Sequence, residues 1–210
     1  MSALCGIHLL DSSDAAFDSE LSQLTTWDEQ ENRDVENVVD EILQGVKTRG
    51  DDALLEYTNR FDRRDCQSVE QLMVPSIELQ RAFDELDGGM RDALETAATR
   101  IRDYHRHQLQ QSWHYREPDG TLLGQQITAL ECVGIYVPGG KASYPSSVLM
   151  NSIPARVAGV DQIVMVVPAP DGTLNPLVLA AAAIVGVDRV ITVGGAQAVA
   201  ALAFGCLLYT

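Results

Sequence analysis

Two stretches of the chain run from an apolar segment through paired glycines into a helical pattern: Val133-Gly-Ile-Tyr-Val-Pro-Gly-Gly140 and Val190-Ile-Thr-Val-Gly-Gly-Ala-Gln197. Glycine lacks a Cβ, so it lets a ligand approach the backbone and reaches positive φ without strain. A helix starting just beyond offers free N–H groups and a partial positive charge, a combination that suits phosphate. Neither stretch is a full G-x-G-x-x-G or a Walker loop, and paired glycines also build plain tight turns. The glycines alone therefore leave nucleotide binding and simple turn formation both open. Tyr136 alternates with Ile135 and Val137 and so faces the other side of its strand. There it is either a core aromatic or a ring that stacks on a flat cofactor. Gln197 falls in the first turn of a helix, where its amide either bonds to backbone or reads a ribose or nicotinamide edge. Lys141 follows the first glycine pair, where it meets a phosphate or solvent.

Other chemistry finds less support. His105, His107 and His114 lie at or beyond the end of a helical pattern, and all histidines precede the glycine turns. His105 and His107 are two apart and point away from each other, whereas ligands sharing a helix face need a spacing of three or four. No Ser-His-Asp set and no paired carboxylates accompany either turn. Cys5, Cys66, Cys132 and Cys206 are scattered without a C-x-x-C, which speaks for ordinary thiols rather than a zinc knuckle or disulfide framework.

The elements that must position the turns follow from periodicity. Residues 1–32 are polar and weakly patterned. Val35, Val38, Val39, Ile42, Leu43 and Val46 form one face of a helix capped by Asp34 and ended by Gly50. A second helix, from Asp51 or Asp52 to Phe61, presents Leu54, Leu55, Tyr57 and Phe61. A short strand over Leu72 to Val74 precedes a third helix, Ser76 to Asp87, that buries Ile77, Phe83 and Leu86. Gly88-Gly89 breaks it, and a long helix follows from Met90 to about Gln111. The chain turns at Glu117 to Gly120, and Leu122–Leu130 and Cys132–Val137 read as two paired strands. From there β and α alternate: helix Pro145–Ala158, with a kink or early break at Pro154, strand Gln162–Val167, helix Asn175–Val185, strand Arg189–Val193 and helix Ala196–Phe204. The strands are continuous apolar runs, as when both faces of a parallel sheet are covered. The predicted organisation is a segment 1–32, a mainly helical region 33–120 and an α/β region 121–205. Ligands of such sheets bind beyond the carboxyl ends of the strands, where both glycine turns fall.

Charge narrows the function classes. The net charge of -15 is concentrated in residues 1–130, with 26 acids against 12 bases, while residues 131–210 carry 4 against 3. An acidic surface repels phosphate backbones, so nucleic acid is not an expected partner. Asp11 and Asp14 stand where a signal peptide needs bases, and no apolar run reaches membrane-spanning length. The expectation is a soluble, cytoplasmic protein with no membrane contact.

The stretch Val133 to Gly159 (V-G-I-Y-V-P-G-G-K-A-S-Y-P-S-S-V-L-M-N-S-I-P-A-R-V-A-G) resembles the signature of histidinol dehydrogenases, as does Val193 to Gly205 (V-G-G-A-Q-A-V-A-A-L-A-F-G). Val46-Lys-Thr-Arg-Gly-Asp-Asp-Ala-Leu and Tyr57-Thr-Asn-Arg-Phe-Asp62 are similar to that family too. The four motifs stand in the family's order and cover residues 35–205. The resemblance implies a fold like that of aldehyde dehydrogenases, here an N-terminal helical region followed by an incomplete Rossmann-like parallel sheet. It implies two successive hydride transfers to NAD that oxidise L-histidinol to L-histidine through histidinal, a zinc ion for substrate, a Glu-His pair for protons, and a homodimer. Carried over by motif, Tyr136 and Gln197 contact NAD, with Pro138 and Phe61 nearby. Where the family continues with an acidic residue and G-P-G-N, this chain has Cys206-Leu-Leu-Tyr-Thr210. The expectation is that residues 206–210 are a non-native tail, and that the chain is an N-terminal half, poorly soluble and inactive alone. The zinc ligands and the Glu-His pair would then lie in the other half. Competing readings are a non-enzymatic nucleotide-binding module and an interaction protein docking through its acidic helices.

Overall fold

The computed structural model describes residues 9–25, 29–139 and 144–205. They group into two compact units that divide between Glu41 and Ile42. The first contains α1 (Phe17–Thr25), which has no buried residue, and the opening of α2 (Glu29–Arg49). Helix α2 begins five residues before Asp34, so Asp34 is an interior residue rather than a cap. Its apolar stripe divides with the units: Val35 and Val38 are exposed, whereas Ile42 and Val46 are buried in the core of the second unit.

The second unit is built on a four-stranded sheet of order β1-β6-β5-β4. Strands β4 (Cys132–Tyr136), β5 (Gln162–Val166) and β6 (Arg189–Ile191) are parallel neighbours, and β1 (Met73–Val74) adds antiparallel to β6 with Met73 opposite Ile191. Helices α6 (Pro145–Val157), α7 (Pro176–Val185) and α8 (Gly195–Phe204) connect or follow the parallel strands. Alternation along β5 shows how the sheet is covered. Ile163, Met165 and Val167 pack with Val148, Leu149 and Ile153 of α6 and with Val178 of α7, while Val164 and Val166 pack with Leu54, Tyr57, Leu72 and Ala198 on the other face. Burying each such aliphatic side chain contributes about 1.5–3 kcal/mol, so the two-sided burial fixes the strand register.

Helix α3 (Asp51–Asp62) lies on the α8 face, entered through Gly50 at φ +58. Leu54 and Tyr57 are buried, but Phe61 is 43% exposed and stacks parallel to Tyr57 at 6.0 Å. On the α7 face, α4 (Ser76–Asp84) and α5 (Gly88–Arg106) form an outer layer. Helix α4 starts after Pro75 and buries Leu79 and Ala82, with Phe83 and Leu86 packed against the same core; Ile77, expected inside, is exposed, because it falls off this face. Gly88 and Gly89 open α5 instead of ending α4, since the Asp87 carboxylate accepts from Met90 N at 2.9 Å and caps the new helix. The helix stops at Arg106, short of Gln111.

Leu122–Leu130 does not pair with the following strand. Only Leu122–Gln125 is extended (β3), and it pairs antiparallel with β2 (Trp113–Arg116) in a separate two-stranded sheet. The Glu117–Gly120 turn decides this: Gly120 takes φ +93, Asp119 accepts from Thr121 N at 2.8 Å, and Glu117 N bonds Thr121 O, which closes a hairpin onto the preceding residues. Pro154 neither breaks nor shortens its helix. It sits in the last turn of α6, and the helix runs on to Val157 despite the intrahelical bond its missing N–H forfeits. At the amino edge of the sheet, Arg156 ties the helix ends together through Asp188 Oδ2 at 2.5 Å, Asp161 O at 2.7 Å and Gly186 O, and Asp188 in turn accepts from Ile163 N at 2.7 Å. No helix among the described residues is long and apolar enough to cross a membrane.

Candidate functional site

The three parallel strands end together, and their ends touch through residues that leave no room for side chains. A Cβ built on Gly194, after β6, would lie 2.5 Å from Pro168 Cγ, and one on Gly139, after β4, would lie 2.6 Å from Pro168 O. Pro168 follows β5, so the turn glycines of the outer strands close on the proline of the middle one. This close approach is why glycine is needed at both positions. Gly134 does the same on the α8 face, where a Cβ would meet Leu202 at 2.8 Å, so α8 lies close against β4. Gly140 and Lys141 lie outside the described residues.

The N-terminus of α8 is aimed at this edge. Gly195 takes φ +67, and its N–H donates to the Tyr136 hydroxyl at 3.1 Å. Tyr136 belongs to the α8 face with Val166 and Ile191, opposite Ile135 and Val137. The strand alternation read from sequence is thus observed, and the hydroxyl joins the end of β4 to the start of α8. Gln197 is 2% exposed and folds back under the turn: a Cβ on Gly195 would lie 2.6 Å from Gln197 Oε1. A buried amide, the exposed Gly195 and the start of α8 meet at one sheet edge, the edge beyond which open parallel sheets hold their ligands. The two residues singled out from sequence are brought within two positions of the same turn. Pro138 lies exposed on the rim, as does Phe61 at the end of α3.

Further polar groups at this edge escaped the sequence reading, because they arrive from α3 and the loops. Arg64 Nη1 donates to Thr192 Oγ1 at 3.2 Å, and Thr192, just past β6, donates through Oγ1 and N to Leu72 O. Arg63 forms a two-pronged pair with Asp171 in the loop after β5, at 2.9 and 2.5 Å. Those hydrogen bonds hold the Asp171 carboxyl below its ordinary range. Arg63 and Asp171 are also the two non-glycine residues with positive φ among those described, a conformation that costs roughly 1–2 kcal/mol each and concentrates at functional sites. Asp62 is 9% exposed, and burial pushes its carboxyl up against the opposing pull of Arg64 and Arg63.

The histidines lie elsewhere. His105 and His107 end α5, where their Nδ1 atoms bond Gln108 Oε1 at 2.6 Å and Asp103 O at 2.8 Å, and His114 stands in β2. Among the described residues no group of three or more His, Cys, Asp and Glu could hold a metal ion.

Comparison with known proteins gives the chain its relatives. The sequence pattern of the family described as histidinol dehydrogenase matches residues 25–208. A histidinol dehydrogenase of Nitrosospira multiformis is 57% identical over 202 residues, covering 96% of this chain and 46% of that protein. One of Bordetella parapertussis is 54% identical over 203 residues, covering 97% of this chain and 46% of its own length. The crystal structure of a histidinol dehydrogenase from Elizabethkingia anophelis superimposes with a TM-score of 0.76 at 30% identity, over 89% of this chain and 43% of the other. The chain therefore spans about half the length of the curated relatives it matches.

Proposed function

The chain belongs to the histidinol dehydrogenase family, and we propose that the carboxyl edge of its parallel sheet is an NAD site serving the oxidation of L-histidinol to L-histidine through histidinal. The observation that carries the reading is the convergence of Gly139, Pro168 and Gly194, with Tyr136 bonded to Gly195 N and Gln197 buried beneath the turn. When bound, NAD accepts hydride. The residues of this chain bind and orient it. Gly194 and Gly195 admit the pyrophosphate to the backbone, and the start of α8 faces its charge. Tyr136 offers a ring edge and a hydroxyl beside the cofactor, and Gln197 offers a buried amide whose position is set by the turn. Pro138 and Phe61 form the apolar rim.

The zinc ion implied by the resemblance has no fitting donor set among the described residues, and no step is derived through it. Among the described residues proton transfer likewise has no candidate histidine at this edge, since His105 and His107 lie at the end of α5 and His114 in β2. The proposed role of this chain is thus the cofactor half of the site; L-histidinol as substrate and a homodimer as the working assembly complete the proposal. Calorimetric titration tests it. NAD binds the unsubstituted chain at one site, and Gln197→Ala weakens binding on the order of 10-fold, as expected for a lost hydrogen bond at a desolvated position. Equal affinity of the two proteins would remove Gln197 from the site.

A further inference from the structure

Two buried polar atoms at the end of α3 have no protein partner: Thr58 Oγ1 and Asp62 Oδ2. Thr58 is fully buried and Asp62 is nine-tenths buried. They stand four apart on one helix, so they share a face. A buried carboxylate oxygen without a partner is costly, and native interiors rarely keep one without a use. The neighbours of Asp62 fix where it lies. Arg63, one residue on, is clamped to Asp171 in the loop after β5; Arg64, two residues on, reaches Thr192 just past β6. The end of α3 is therefore pinned at two points to the carboxyl edge of the parallel strands, the edge that holds Gly194, Gly195 and Gln197.

We propose that Asp62 and Thr58 form a polar subsite at this edge that takes the vicinal diol of a ribose. The chemistry matches. A carboxylate is acceptor-only and receives two adjacent hydroxyls, and a threonine hydroxyl both donates and accepts, satisfying the remaining lone pairs of the diol. In nucleotide-binding sheets an acidic residue that reads ribose hydroxyls usually follows the second strand of the βαβ unit. Here the parallel strands end in Val166-Val-Pro-Ala and Ile191-Thr-Val-Gly, with no acid at those ends. The carboxylate arrives instead from the helix packed across the sheet. Burial pushes its carboxyl up, and Arg64 and Arg63 beside it pull the other way, toward the charged form. The inference rests on the NAD reading above and adds the residues that hold a sugar.

The test uses the 210-residue chain with NAD as the probe, and adenosine monophosphate and nicotinamide mononucleotide as competing fragments. Asp62→Asn keeps shape and loses the charge-assisted acceptor. It weakens NAD on the order of 10- to 100-fold, and Thr58→Val a few-fold. The melting temperature of Asp62→Asn is unchanged or raised, because burial of the unpartnered Oδ2 outweighs the pull of Arg63 and Arg64 on the charged form. The fragment whose affinity falls identifies which of the two riboses occupies the subsite. Unchanged NAD affinity in both variants means the pair holds only buried water, and overturns the proposal. A fall in melting temperature with Asp62→Asn assigns the carboxylate a structural role, and overturns it as well. Failure of the unsubstituted chain to bind NAD defeats the underlying cofactor reading; binding that ignores Asp62 defeats the subsite alone.

Discussion

Replacing Gly194 by alanine tests the closure of the strand ends most sharply. Its φ of -130 suits any residue, so the cost is purely steric. The new methyl would stand 2.5, 2.7 and 3.2 Å from Pro168 Cγ, Cβ and Cα, about an ångström inside the optimal carbon–carbon separation of roughly 3.5–4.0 Å. Pro168 is a rigid ring, and it is held on its other side by the Gly139 turn, whose own Cβ position is 2.6 Å from Pro168 O. Relief requires the β5 and β6 ends to separate. Overpacking of this kind costs about 1–3 kcal/mol. With a urea dependence of about 2 kcal/mol per molar, the unfolding midpoint drops by about 0.5–1.5 M. The control is the same substitution at Gly88, in the first turn of α5, where a Cβ meets nothing within 4 Å and φ is not positive. There alanine stabilises by roughly 0.5–1 kcal/mol, raising the midpoint by about 0.3–0.5 M. Urea titration followed by far-ultraviolet circular dichroism reads both. A Gly194→Ala protein with an unshifted midpoint would refute the three-turn closure.

The remaining predictions follow from single groups. Tyr136→Phe removes the acceptor of Gly195 N at 3.1 Å. Gly195 is solvent-exposed and regains a water bond, so stability falls by only about 0.5–1.5 kcal/mol, measured by the same urea titration, while NAD affinity falls several-fold. Asp171 has its carboxyl lowered by Arg63, so its contribution to stability is present above the unfolded value and lost as pH falls through the folded one. Arg63→Ala therefore flattens the acid limb of a midpoint-against-pH plot, and an unaltered limb would show that the pair contributes nothing. Asp62 has the opposite sign. Its raised carboxyl makes the folded state the better proton binder, so stability declines as pH rises from the unfolded value through the folded one, and Asp62→Asn removes that decline.

The α/β alternation and the two glycine turns were legible because each is a local signal. Continuous apolar strands, proline at the first turn of α7 and Gly186 at its end are written within a few residues of one another. Tyr136 was placed on the correct face because strand alternation needs no partner. The misreadings share a cause: each depended on what the segment meets. The pairing of Leu122–Gln125 with Trp113–Arg116 hinged on Asp119 and Gly120 closing backward. The burial of Leu79 in place of Ile77 hinged on which side of α4 faces α7. The polar half of the site was illegible for the same reason. Arg64 reaches Thr192 across 128 positions, and Arg63 reaches Asp171 across 108. The resemblance carries only Phe61 of Asn-Arg-Phe-Asp-Arg-Arg toward the cofactor; no local pattern announces that Asp62, Arg63 and Arg64 end over the carboxyl edge of strands that begin some seventy residues later. Pro168 was overlooked because its importance lies in the two glycines that touch it from other strands.

The central claim is that NAD sits on the turn between β6 and α8. Backbone amide spectra of the isotopically labelled chain, recorded with and without NAD, address it directly. The account predicts that the Gly194, Gly195 and Gln197 signals move together on addition of NAD, and that Gly88 and Gly120, in the outer helix and the hairpin, stay in place. An intact spectrum in which the β6–α8 turn does not respond, or in which only the hairpin and outer-helix signals shift, would contradict it.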